Sequence, residues 1–177
     1  MKTKDIKQRI KKYFFENPTA RLRVRQIERA VKVPLPSAIR YARELEAESF
    51  LKSHEISGVN FYSANRGSKR FLAEKRAFNT KQLFDCSLID YLAEEYGNPV
   101  VIVFGSYSSG EDIEKSDIDL YIETQKKHDF KLEKFEKILN RKIQVFNYQS
   151  LDKIPNKALA NNMLNGTILN GFVEVFK

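Results

Sequence analysis

The sequence predicts an α+β protein in two parts, a small helix-rich N-terminal module and a C-terminal module built around a mixed sheet. Three observations carry that expectation. The first fifty residues show helical periodicity, with Ile6, Ile10, Tyr13 and Phe14 on one face of Lys4 to Glu16. A β-branched run, Val100-Val101-Ile102-Val103-Phe104, stops abruptly at Gly105-Ser106. Charge divides in the same place. Residues 1–79 hold 19 Lys+Arg against 8 Asp+Glu, a balance of +11, whereas residues 80–177 hold 12 against 15, a balance of −3. A basic first part suits a polyanionic partner such as nucleic acid; solvated helix faces would give the same count.

Each element follows from local chemistry. Asn17-Pro18 ends the first helix, because the residue before proline is pushed out of helical geometry. Val24 to Val31 reads as a short second helix with Val24, Ile27 and Val31 inward. Pro34-Leu35-Pro36 forces a turn, and a third helix over roughly Ser37 to Glu48 turns Ala38, Tyr41, Ala42 and Leu45 to the core. Phe50 to Glu55 and Asn60 to Ser63 make a hairpin around Gly58. Arg66 to Phe78 reads as a basic connecting helix, and Thr80 to Tyr96 as an amphipathic one with Leu83, Phe84, Leu88, Ile89 and Leu92 on its apolar side. Gly97-Asn98-Pro99 ends it. Lys131 to Asn140 reads as a helix with Leu132, Phe135, Ile138 and Leu139 inward, followed by a strand over Arg141 to Asn147. The simplest partition is 1–65, a linking segment 66–97, and 98–177.

Three helices followed by a hairpin is the order of a winged helix-turn-helix, and residues 4–65 resemble that family. The resemblance implies that Ser37, Arg40 and Arg43 face DNA from the second helix of the pair, with Lys52 and His54 on the wing against phosphate. It also makes a homodimer, or another protein partner, an alternative to consider. A helical interaction module with solvated arginines is the competing reading.

The chemistry concentrates in Phe104 to Leu120. A buried strand running into a glycine turn leaves room for anionic oxygens to approach backbone N–H groups. Ten residues separate Ser106 from Asp117-Ile118-Asp119-Leu120, a second strand. Strand alternation puts Asp117 and Asp119 on one face, where two carboxylates repel unless a hard divalent cation lies between them.

The string Phe104-Gly105-Ser106-Tyr107-Ser108-Ser109-Gly110 through Ser116-Asp117-Ile118-Asp119-Leu120 resembles the signature of the DNA polymerase β nucleotidyltransferase superfamily, and within it the minimal prokaryotic nucleotidyltransferases. Asn161 to Gly171 is similar to the closing segment of archaeal and bacterial members, and winged helices precede such domains in archaeal proteins. The resemblance implies that Gly105 and Ser106 hold a nucleoside triphosphate. It implies that Asp117 and Asp119 are the catalytic, Mg²⁺-holding pair, and that a nucleoside monophosphate passes to a hydroxyl. The family adds a third carboxylate on a later strand, but Gln144 stands at that position here. Glutamine can offer a carbonyl oxygen to a metal and cannot take a proton. The alternative expectation is therefore a catalytically weak or inactive nucleotide-binding regulator or antitoxin.

Other features bound the reading. Cys86 is the only cysteine, which excludes an internal disulfide and a cysteine zinc site and makes a buried thiol the expectation. His54 and His128 lie far apart and give zinc no support. The longest apolar run is five residues, so no membrane span is expected, and with no signal-like leader the expected location is the cytoplasm. Glu111, Asp112 and Glu114 read as a solvated loop, and Tyr107 as either a base-stacking or a packing ring.

Overall fold

A computed structural model describes residues 3–125 and 129–174; His128, weighed above as a metal ligand, and the last residues of the 98–177 range lie outside them. The chain divides into two compact units, Met1–Lys75 and Arg76–Lys177.

The first unit contains α1 (Thr3–Glu16), β1 (Arg21–Leu22), α2 (Val24–Val31), α3 (Leu35–Ala47), β2 (Leu51–Ile56) and β3 (Val59–Ala64). Ile6, Ile10 and Phe14 are buried along α1, and Phe15 packs edge-on against Phe50 at 5.2 Å between ring centres. All four residues expected inward on α3 are buried, and Pro36 sits in its first turn, where the missing N–H is unneeded. The hairpin turns through Ser57-Gly58, both at positive φ (50° and 75°), the backbone that matches a two-residue loop to strand twist. The sheet is antiparallel in the order β1-β3-β2. The two-residue β1 has no signature of its own in the sequence.

Helix α4 (Lys69–Asp85) begins in the first unit and ends in the second, which adds α5 (Leu88–Glu95), β4 (Val100–Phe104), α6 (Gly105–Ser109), β5 (Ile118–Glu123), α7 (Glu133–Leu139), β6 (Ile143–Tyr148), α8 (Lys157–Leu164) and β7 (Thr167–Asn170). The strand order is β6-β5-β4-β7, with β5–β6 parallel and the other pairs antiparallel. This is the expected mixed sheet. One face buries Val101, Val103, Ile118, Leu120 and Ile122 beneath Leu83, Leu88, Leu92 and Phe135. The other buries Ile102, Phe104 and Tyr121 beneath Leu151, Ile154, Ala160 and Met163. Because β4 is covered on both sides, its apolar run is continuous rather than alternating.

Three expectations need correction. No helix boundary falls at Asn79–Thr80; the break lies at Cys86–Ser87, where Ser87 adopts φ 58°. Residues before and after that break therefore belong to different helices, and Phe84 points outward, 45% exposed, while Leu83 and Leu88 are buried. Ile138 is 64% exposed because the two-turn α7 buries only Phe135 fully. Asp112 is 1% exposed rather than solvated, because Arg141 and Asn79 both donate to its carboxylate.

Candidate functional site

The site begins where β4 ends. Gly105 has φ 70°, and a Cβ built on it would fall 2.7 Å from Asp119 Oδ2. Glycine is required there twice over, by the backbone angle and by the carboxylate lying against its Cα. Strand register produces that contact, since Phe104 pairs with Asp119 across β4 and β5. Burial first, and the neighbouring Asp117 charge second, hold the Asp119 carboxyl above the usual carboxylate range. Asp117 lies just ahead of β5 and is exposed.

Gln144 is the parallel-strand partner of Asp119. Phe146 and Tyr148 pack on the Tyr121 side of the sheet, whereas Ile143 and Val145 pack on the other. Alternation thus puts Gln144 on the same face as Asp119, about 4.8 Å away along the hydrogen-bonding direction. Among the described residues no third His, Cys, Asp or Glu gathers with the aspartates into a metal-binding group.

Beside this pair lies a pocket of about 460 Å³, lined on one side by Gly105, Ser106, Ser108, Ser109 and Glu111, and on the other by Asn162, Asn165, Gly166 and Thr167, with Arg76. Asp117 and Asp119 do not line it; Gly105 is the junction between pocket and carboxylates. The Ser108 and Thr167 hydroxyls meet at 3.1 Å, joining the two walls. Gly166 brings them together, for a Cβ there would lie 2.5 Å from the Val103 carbonyl oxygen.

The loop between the two half-motifs is anchored rather than free. Arg141 donates to Asp112 Oδ2 at 2.8 Å and to the Ser116 carbonyl at 2.8 Å. The Asn79 amide donates to Asp112 Oδ1 at 2.7 Å and to the Tyr107 carbonyl at 2.8 Å. A pair with 0% and 10% side-chain exposure therefore ties Ile113–Ser116 down just before Asp117. Tyr107 resolves as a packing ring, 3% exposed, with burial pushing its hydroxyl pKa up. Cys86 is half-buried against the core, and burial raises its thiol pKa.

In the first unit, Arg40 and Arg43 are exposed on α3 opposite its buried stripe, and Ser37 is half-buried in the first turn. The Arg40 guanidinium lies over the Tyr41 ring at 4.4 Å. Lys52 and His54 are exposed on β2 and alternate with Leu51 and Ser53. Ser53 bonds Glu46 of α3, so Lys52 and His54 leave the hairpin on the face away from that helix. The arginines that do gather are Arg23, Arg25 and Arg43, which line a pocket of about 400 Å³ with Ile39 and Tyr62. Arg23 and Arg25 were not legible as site residues, since only the β1 pairing folds that segment back against the hairpin.

The family model described as "Nucleotidyltransferase domain" matches residues 85–170, just under half of the chain and all four strands of the second unit's sheet. That match supports the nucleotidyltransferase superfamily for this segment, and with it a general nucleotidyl-transfer activity on a nucleoside triphosphate. No curated protein and no solved structure matched the chain. Among the described residues, no helix is long and apolar enough to cross a membrane.

Proposed function

We propose that the protein is a Mg²⁺-dependent nucleotidyltransferase that moves a nucleoside monophosphate from a triphosphate to a hydroxyl, and that its first unit is a winged helix binding DNA. The observation that supports the first part is the Asp119 carboxylate resting on Gly105, the residues this reading takes as metal ligand and phosphate turn. The donor set fits the ion. Two carboxylates and an amide carbonyl are hard oxygen ligands of the kind this ion takes. Asp117 and Asp119 would hold Mg²⁺, which neutralises charge on the triphosphate oxygens when bound. Gly105 and Ser106 would position the phosphates, and the acceptor oxygen would displace pyrophosphate from the α-phosphorus. Gln144 cannot take the acceptor's proton, and Asp119 is the group beside it that can.

Gln144 favours a second reading, a weak or inactive nucleotide-binding regulator of antitoxin type. Incubation with α-labelled triphosphates and Mg²⁺ separates the two. Label reaching a macromolecular or small acceptor with the wild type, and lost in Asp117→Ala/Asp119→Ala, supports the enzyme. Transfer seen only with Gln144→Asp supports the regulator. Absence of both transfer and nucleotide binding in either protein would exclude both readings. For the first unit, binding to duplex DNA should weaken with salt, and Arg40→Ala or Arg43→Ala should each lower the log–log salt slope by about 1.

A further inference from the structure

Arg76 lies outside the stretch matched by the family model, yet it lines the pocket that Gly105 and Ser106 open into. Its place is fixed by the helix that carries it. Arg76 precedes Asn79 by three residues on α4, and residues three apart share a helix face. Asn79 is buried and bonds both the Tyr107 carbonyl, inside the α6 turn, and Asp112, itself held by Arg141. The helix bearing Arg76 is thus fastened to the same turn that bears Gly105 and Ser106.

The pocket's other lining groups are hydroxyls, amides and glycines, together with Glu111, whose carboxylate accepts from the Ser109 hydroxyl at 2.9 Å. Arg76 is the one cationic lining residue, is exposed, and forms no ion pair among the described residues. An exposed helical arginine is ordinarily just solvated. This one faces a cavity of about 460 Å³ whose remaining walls offer hydrogen bonds and the Glu111 carboxylate, so Arg76 supplies the positive charge of its lining.

Resting on the nucleotidyl-transfer reading, we propose that Arg76 grips the β- and γ-phosphates, so that the site selects triphosphates over monophosphates. A planar guanidinium can donate two parallel N–H bonds to phosphate oxygens. In the transfer step the bond between the α-phosphorus and the bridging oxygen breaks, and its electron pair stays with the departing pyrophosphate. Arg76 faces the charge that collects there.

Calorimetry on the full chain in Mg²⁺ tests this, with inorganic tripolyphosphate, each of the four common ribonucleoside triphosphates, and AMP as probes. The wild type should bind tripolyphosphate and the triphosphates. Arg76→Ala should weaken both about 10- to 100-fold, the range for losing hydrogen bonds to a charged group, while AMP affinity stays within twofold. Arg76→Lys should restore part of the loss, and the melting temperature of both variants should match the wild type because the side chain is exposed. An Arg76→Ala protein that keeps the wild-type preference for triphosphate over AMP overturns the role of Arg76 and leaves the transferase reading standing. A wild type that binds neither tripolyphosphate nor any triphosphate overturns both.

Discussion

Replacing Gly105 by alanine tests whether the turn proposed to hold phosphate and the Asp119 carboxylate share one contact. The substitution does two things of different size. Holding an L-residue at φ 70° costs about 1–2 kcal/mol, and the chain can bear that. The new methyl would also stand 2.7 Å from Asp119 Oδ2, so the oxygen must retreat roughly 0.7 Å to reach ordinary contact at 3.4 Å. The carboxylate is the free end of a side chain and can swing, which keeps the stability loss near the backbone term alone. Mg²⁺ is less forgiving, since it demands near-octahedral ligands at about 2.1 Å and tolerates deviations of roughly 0.2 Å. A displacement several times that tolerance should cost at least about tenfold in Mg²⁺-dependent nucleotide affinity. Urea denaturation in EDTA reads the first quantity, and calorimetric titration of Mg-nucleotide reads the second. The reasoning is refuted if Gly105→Ala binds Mg-nucleotide within twofold of wild type, or if stability falls by more than about 4 kcal/mol, a loss the turn geometry cannot supply.

Three further outcomes follow from the same site. Gly166→Ala sets a methyl 2.5 Å from the Val103 carbonyl and 2.7 Å from Ile102 Cγ2, where backbone cannot swing aside; urea titration should show a loss of about 1–3 kcal/mol or more. Asp112→Ala leaves the Arg141 guanidinium buried without its carboxylate and should cost about 3–5 kcal/mol, whereas Asp112→Ala/Arg141→Met should recover much of it in the same assay. Asp119 has a raised folded-state pKa, from burial first and Asp117 second, so it favours the protonated fold and its contribution is lost as pH rises through that folded pKa. Metal-free Asp119→Asn should therefore exceed wild type in stability at pH 7. The gap should narrow toward pH 4, and a constant gap across that range would contradict the assignment.

Much of this was legible in the sequence, because local chemistry decided it. The strand Val100–Phe104 and the helix Val24–Val31 fall where periodicity put them, bounded by a glycine in one case and a prolyl turn in the other. What escaped depends on partners distant in the chain. Asp112 read as solvated because the arginine that buries it comes 29 residues later. Arg76 looked like part of a basic linker, since only the bonds from Asn79 to the α6 turn bring it to the pocket. Strand β7 was hidden in an Asn- and Gly-rich tail and exists through pairing with β4. The split of one apolar pattern into α4 and α5 rests on Ser87 adopting left-handed geometry, which serine does not advertise.

The contact between Asp119 and Gly105 also has a thermodynamic consequence. Were a cation to draw that carboxylate into a fixed position, it would bear on the turn lying against it, so that ion and polyphosphate would share one mechanical element. Whatever factor the ion adds to polyphosphate affinity, polyphosphate must return to the ion. On the proposed reading, a fall in either concentration would loosen the protein's hold on the other by that same factor.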